Sequence, residues 1–152
     1  MPQLDESNAW RVSGVRKAQA FFRALAALVP DATDVFLEGS PAADILALMQ
    51  PHIAPTDYIA PAGTYWSWPQ RNRRFRLNAS PELFARLSDA APRHAEPEIC
   101  DHLHIYVESE PLVTWFDAFI EPVLVSKTIA RDRVAQFCTD VGGVLADADT
   151  QG

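Results

Sequence analysis

Two or three strand-like stretches follow one another in the last third of this chain, with residues 112–119 compatible with helix as well as strand on pattern alone. "CDHLHIYVES" (residues 100–109) alternates apolar and polar side chains. "LVTWFDAFIEPVLVSKT" (112–128) reads as one or two further strands, broken near Glu121 and Pro122. A strictly alternating strand–helix order with a parallel sheet has no room for such a cluster, so the pattern favours an α+β fold. The expectation is one mixed, mostly antiparallel sheet of roughly four to six strands, with about four helices packed mainly on one face.

The remaining elements are punctuated by proline and glycine. Val15, Ala18, Phe21, Phe22, Leu25 and Leu28 recur at helical spacing, with Arg16, Lys17, Gln19 and Arg23 on the other side, and Pro30 ends the run. "DVFLEG" (34–39) reads as a short strand stopped by Gly39. Ser40 and Pro41 then suggest the cap and first turn of a helix through Ile45, Leu46 and Met49. "RRFRLN" (73–78) predicts a strand with Phe75 and Leu77 on one face and Arg74 and Arg76 on the other. Ser80, Pro81 and Glu82 open a helix that buries Leu83, Phe84 and Leu87. A last helix runs from Ile129 to Val141, capped by Thr128 and stopped by Gly142 and Gly143. Residues 54–72 read as a long loop. Residues 1–13 are expected as a flexible arm anchored by Trp10, residues 14–145 as a single domain, and residues 146–152 as a disordered tail.

Composition narrows the function classes. A length of 152 residues suits one domain, and 48% hydrophobic against 22% charged residues is enough for a core. No apolar run reaches the ~20 residues that cross a bilayer, and the first residues lack a signal-peptide layout, so a cytoplasmic location is expected. The net charge of −7 speaks against general affinity for nucleic acid or an anionic membrane, and it suits a basic protein partner. Cys100 and Cys138 match no disulfide or zinc-ribbon spacing, and each reads as a small buried thiol.

The chemistry-bearing stretch is the histidine strand. Alternation puts Leu103, Ile105 and Val107 on a core face, and Cys100, His102, His104, Tyr106 and Glu108 on the other. Two imidazoles about 7 Å apart along a strand can converge on one ion, so His102 and His104 are candidate ligands for zinc. A third ligand would have to come from Cys100, Glu38 or Asp117. With a metal in place, water activation for a hydrolase or lyase follows, with Glu38, Glu108 or Asp117 as ligand or base. Otherwise no cofactor is expected. The alternatives are a histidine base oriented by Glu108, or a sheet face without chemistry in which Glu108 pairs with Arg74 or Arg76.

Asp117 stands among Trp115, Phe116, Ala118 and Phe119, where a carboxylate must find a donor, for instance a backbone amide at a turn. In "TYWSWPQRNRRFRL" (64–77), Tyr65, Trp66 and Trp68 precede Arg71, Arg73, Arg74 and Arg76. Arginines there can guard a sheet edge, and Trp and Arg are also residue types that dominate protein interfaces. Trp66, Trp68, Arg74 and Arg76 are therefore the expected partner-binding residues. "EGSPAAD" lacks the glycine patterns of nucleotide-binding loops, and no GxSxG, HExxH or EF-hand motif occurs. The leading expectation is a non-catalytic protein that binds another protein, with a toxin-neutralising, immunity-type protein as its concrete form. A small metal-dependent hydrolase on His102 and His104 is the alternative.

Overall fold

Short strands, several of them buried at nearly every position, form one sheet in this molecule. The computed structural model describes residues 3–55, 73–95 and 98–147. In chain order the elements are β1 (Ala9–Ser13), α1 (Ala18–Leu28), β2 (Asp34–Gly39), α2 (Ala43–Met49), β3 (Arg73–Asn78), α3 (Pro81–Ala90), β4 (His102–Val107), β5 (Glu110–Trp115), β6 (Val123–Ser126), α4 (Arg131–Val141) and β7 (Val144–Asp147). The strands lie in the order β3-β2-β4-β5-β6-β1-β7, and every described pairing is antiparallel.

The sheet thus has seven strands rather than four to six. The additional ones were hidden by weak patterning. β1 spans residues expected to belong to a flexible arm, yet Ala9 and Val12 are fully buried and the strand pairs with both β6 and β7. Its burial does not alternate strictly, which is why periodicity gives no signal there. Trp10 does anchor this segment: its Nε1 donates to the Ile129 carbonyl (3.3 Å), and the Lys127 ammonium lies over its ring. β7 likewise orders residues 146–147, which were assigned to the tail.

One apolar core joins the sheet to all four helices. Leu37, Leu77, Leu103, Ile105, Val113, Trp115, Val123 and Val125 point to it from the strands. Phe21, Phe22 and Leu25 of α1, Ile45 and Met49 of α2, Leu83 and Leu87 of α3, and Val134 and Phe137 of α4 meet them there. The helices therefore cover one sheet face, as the α+β reading requires, and α1 packs between α3 and α4.

The helix ends show where local signals hold. Ser80 Oγ accepts from the Leu83 amide (3.1 Å) with Pro81 in the first turn, and Gly142 closes α4 at φ 69°. Ser40 is not a cap. The chain stays extended for two more residues and α2 begins after Ala42, whose amide donates to the Glu98 carbonyl (2.8 Å). Nor does Thr128 cap α4; it bonds Ser126 in the turn after β6. At Gly39 (φ 153°) the segment leading into β4 passes so close that a Cβ would sit 2.9 Å from the Asp101 nitrogen. No helix among the described residues is long and apolar enough to cross a membrane.

Candidate functional site

The sheet face away from the helices carries the histidines. Register places His102 opposite Glu38, and His104 between Phe36 of β2 and Thr114 of β5. Thr114 is in turn opposite Leu124, and Leu124 is opposite Arg11. The strand does bring His102, His104 and Tyr106 onto one face as alternation requires. That face is not wet: His102 is 2% and His104 1% exposed, and Glu38, Tyr106 and Thr114 are buried with them.

Two residues expected on that face lie elsewhere. β4 begins at His102, so Cys100 falls outside the alternation and joins the main apolar core. Burial there, with Asp101 adding to it, pushes its thiol pKa up to about 12 and leaves it unreactive. Glu108 lies past the end of the strand, exposed and left-handed (φ 54°), with its amide on Thr33 Oγ1 (2.7 Å). Consequently Arg74 and Arg76 pair not with Glu108 but with Glu38 (3.5 Å) and Asp34 (2.9 Å), because β2 is the strand beside β3. Among the described strands β3 ends the sheet, with Ile53 bridged to Leu77 and the Ala54 amide donating to the Arg76 carbonyl (2.8 Å) on its outer side, and Arg73 and Arg74 are exposed. Trp66 and Trp68 lie outside the described residues.

The two imidazoles are chemically distinct. His102 Nδ1 accepts the Asp117 backbone N–H at 3.0 Å. A neutral His102 in that bond must carry its proton on Nε2. His104 Nε2 is buried without a hydrogen-bond partner among the described residues. Burial, with His102 beside it adding to the effect, holds the His104 pKa down at about 4. Phe116 stands edge-on to both rings, its centroid 5.9 Å from His102 and 5.0 Å from His104.

Among the described residues no group of three or more His, Cys, Asp or Glu side chains is placed to hold an ion. A ligating histidine offers one nitrogen to the metal and donates from the other. Here Nδ1 of His102 accepts instead, which leaves the hydrogen on the nitrogen that would have to ligate.

The residues after β5 form the least ordinary part of the chain. Asp117 (φ 49°) and Phe119 (φ 72°) are both left-handed, a conformation costing a non-glycine residue about 1–2 kcal/mol. These two turns send the buried Ala118 and Phe119 inward, where the Phe119 ring packs at a tilt against Trp115 with centroids 4.5 Å apart, and leave Asp117 and Ile120 outward. Asp117 is therefore an exposed turn residue rather than a buried carboxylate, and it acts through its backbone. Its carbonyl accepts from the Ile120 and Glu121 amides (3.0 and 3.1 Å). The Ala118 amide donates to the Asp101 carbonyl (2.8 Å), and Trp115 Nε1 to the Glu121 carbonyl (2.6 Å). Ile120 stands at the tip, 79% exposed.

Beside this loop is an open depression of about 220 Å³. Thr114, Leu124, Phe116 and Pro122 line it together with Glu6, Arg11 and Glu121. Arg11 is held by Glu6 at 2.6 Å. Sequence reasoning singled out Asp117 as a carboxylate in need of a donor, for instance a backbone amide at a turn; the turn is there, but the bonds that organise it run through the Asp117 backbone. The usable signal was that aspartate tolerates the left-handed region, whereas nothing in the residue type of Phe119 announces its conformation. No family model matches this sequence, and neither the curated proteins nor the solved structures contain a match to it.

Proposed function

We propose that this protein acts by binding another protein, and that loop 116–122 with the adjoining depression is the surface it offers. The observation that carries this reading is Ile120, a large apolar side chain held 79% exposed on a loop of strained backbone pinned from several sides. A scattered exposed isoleucine is ordinary. One presented on a backbone that costs free energy to hold, next to a part-apolar depression, is a different matter.

The charge around it favours a basic partner. Asp117 and Glu121 flank the tip, Glu121 also lines the depression where Glu6 is paired with Arg11, and the chain as a whole carries −7. An acidic rim about an apolar anchor steers and orients a basic surface. A toxin-neutralising role, in which an acidic protein caps a basic toxin domain, is the concrete form of this reading. The arginines of β3 lie on the same sheet face, three strand spacings or about 14 Å from β5. One interface of standard size would span both, so Arg74 and Arg76 remain its proposed outer contacts, as do Trp66 and Trp68, which lie outside the described residues.

The test is a partner captured by the tagged wild type, then produced alone and titrated calorimetrically against purified variants. Ile120→Asp should weaken the complex at least about tenfold, as a central anchor does, with no change in thermal midpoint. Binding of Ile120→Asp, Arg74→Ala and Trp66→Ala at wild-type affinity would sink the proposal.

A further inference from the structure

We infer that His102 is a positioning residue for the binding loop: its neutral imidazole, through Nδ1, sets the backbone at Asp117 and so fixes where Ile120 is presented. The inference rests on the binding role proposed above for its consequence, though not for its geometry.

Backbone hydrogen bonds pair most chain segments to one another, but the Asp117 amide has gone to a side chain. It donates to His102 Nδ1 at 3.0 Å, at the residue where the chain first turns left-handed. The next amide, that of Ala118, donates to the Asp101 carbonyl at 2.8 Å. Adjacent amides of the loop are thus held by adjacent residues at the start of β4, one by backbone and one by imidazole. The Asp117 carbonyl then organises the far side by taking the Ile120 and Glu121 amides. Asp117 is the hub, and His102 is the only side chain among the described residues that bonds its backbone.

The imidazole is itself held in place. It is 2% exposed, faces Glu38 across the sheet, has His104 two residues along its own strand, and meets the edge of Phe116. An amide N–H has a hydrogen to give and a buried nitrogen has a lone pair to accept it. The bond exists only with Nδ1 unprotonated and the hydrogen on Nε2. Replacing the ring by an apolar side chain of similar size fills the space and removes the acceptor. Asparagine keeps an acceptor oxygen at the same number of bonds from Cα.

The experiment reads the free protein, so its failure is separate from failure of the binding role. Nitrogen-15 spectra of the histidine side chains should show His102 with Nδ1 unprotonated and Nε2 protonated. Amide exchange at Asp117 should quicken roughly five- to tenfold in His102→Leu, the loss of one hydrogen bond. It should stay near the wild-type rate in His102→Asn. Partner affinity should follow the same order, with Asn restoring what Leu loses. A protonated Nδ1 in the wild type overturns the inference by itself, without any variant. So does an Asp117 amide that exchanges equally in all three proteins, or equally fast in Asn and Leu.

Discussion

His104 makes this protein sensitive to acid in a way that can be calculated. Its pKa is about 4 in the folded protein against 6.5 for an ordinary imidazole, because burial opposes the charged form and His102 lies beside it. Between those values the unfolded chain binds a proton that the folded one refuses, so stability is fully present above pH 6.5 and falls as the pH drops towards 4. The whole gap is worth about 3 kcal/mol, and at pH 5 about 2 kcal/mol of it has been lost. With His104 1% exposed, solvent does little to dilute the effect. His104→Leu isolates it, because every other titrating group is common to both proteins. At pH 7 the variant should be as stable as the wild type or more so, since it removes a buried nitrogen without a hydrogen-bond partner among the described residues. Urea unfolding followed by tryptophan fluorescence, from pH 7 down to pH 4.5, gives the comparison. The wild-type midpoint should fall about 1 M further than the variant's by pH 5, for a slope near 2 kcal/mol per M. Parallel pH profiles would refute the reasoning and mean that the buried imidazole takes up its proton in the folded state.

Two more outcomes follow from local geometry. Gly39→Ala should destabilise by about 2 kcal/mol or more, because the new Cβ would meet the backbone at Asp101 N (2.9 Å) and Cys100 Cα (3.2 Å) at a residue with φ 153°; a urea-derived loss below about 0.5 kcal/mol would show that the β2–β4 approach can relax. Chelator-stripped protein titrated with zinc should show no tight, stoichiometric uptake, because His102 Nδ1 already accepts an amide; stoichiometric binding that vanishes in His102→Ala would restore the metal-dependent reading.

What could be read from the chain is what depends on neighbours in sequence. "DVFLEG" and "RRFRLN" are strands with the bounds expected, Ser80 caps α3, and Gly142 ends α4. The parity of His102 and His104 also follows from alternation alone. What could not be read depends on pairing across the sheet. Nothing local says that β2 lies between β3 and β4, which is why Glu108 is the expected partner of Arg74 or Arg76; once β2 does, Glu38 and Asp34 are the carboxylates it brings to those arginines. β1 stayed hidden for the same reason, since five residues without strict alternation become a strand only because β6 and β7 flank them. The loop fared worst. Its conformation is fixed by bonds from Asp101 and His102, some fifteen residues earlier in the chain.

That contrast also bears on where function is placed. Several departures from the local rules of folding fall together here, while the left-handed Glu108 and the exposed Val144 and Ile53 lie elsewhere. A buried imidazole nitrogen finds no partner among the described residues, two non-glycine residues turn left-handed, and an isoleucine is held out to solvent, all along the short strip from His104 across Phe116 to Ile120. At the β3 edge Arg74 and Arg76 meet carboxylates and Phe75 and Leu77 are buried, with the part-exposed Ile53 bridged to Leu77 beside them and the backbone in ordinary extended conformation. Sequences conflict with their own fold chiefly where something other than stability has been selected. Were the β3 arginines the centre of a binding surface, the cost should lie with them. It lies instead on loop 116–122, so Ile120→Asp is expected to weaken a partner more than Arg74→Ala, and the reverse ranking would move the site to the edge strand.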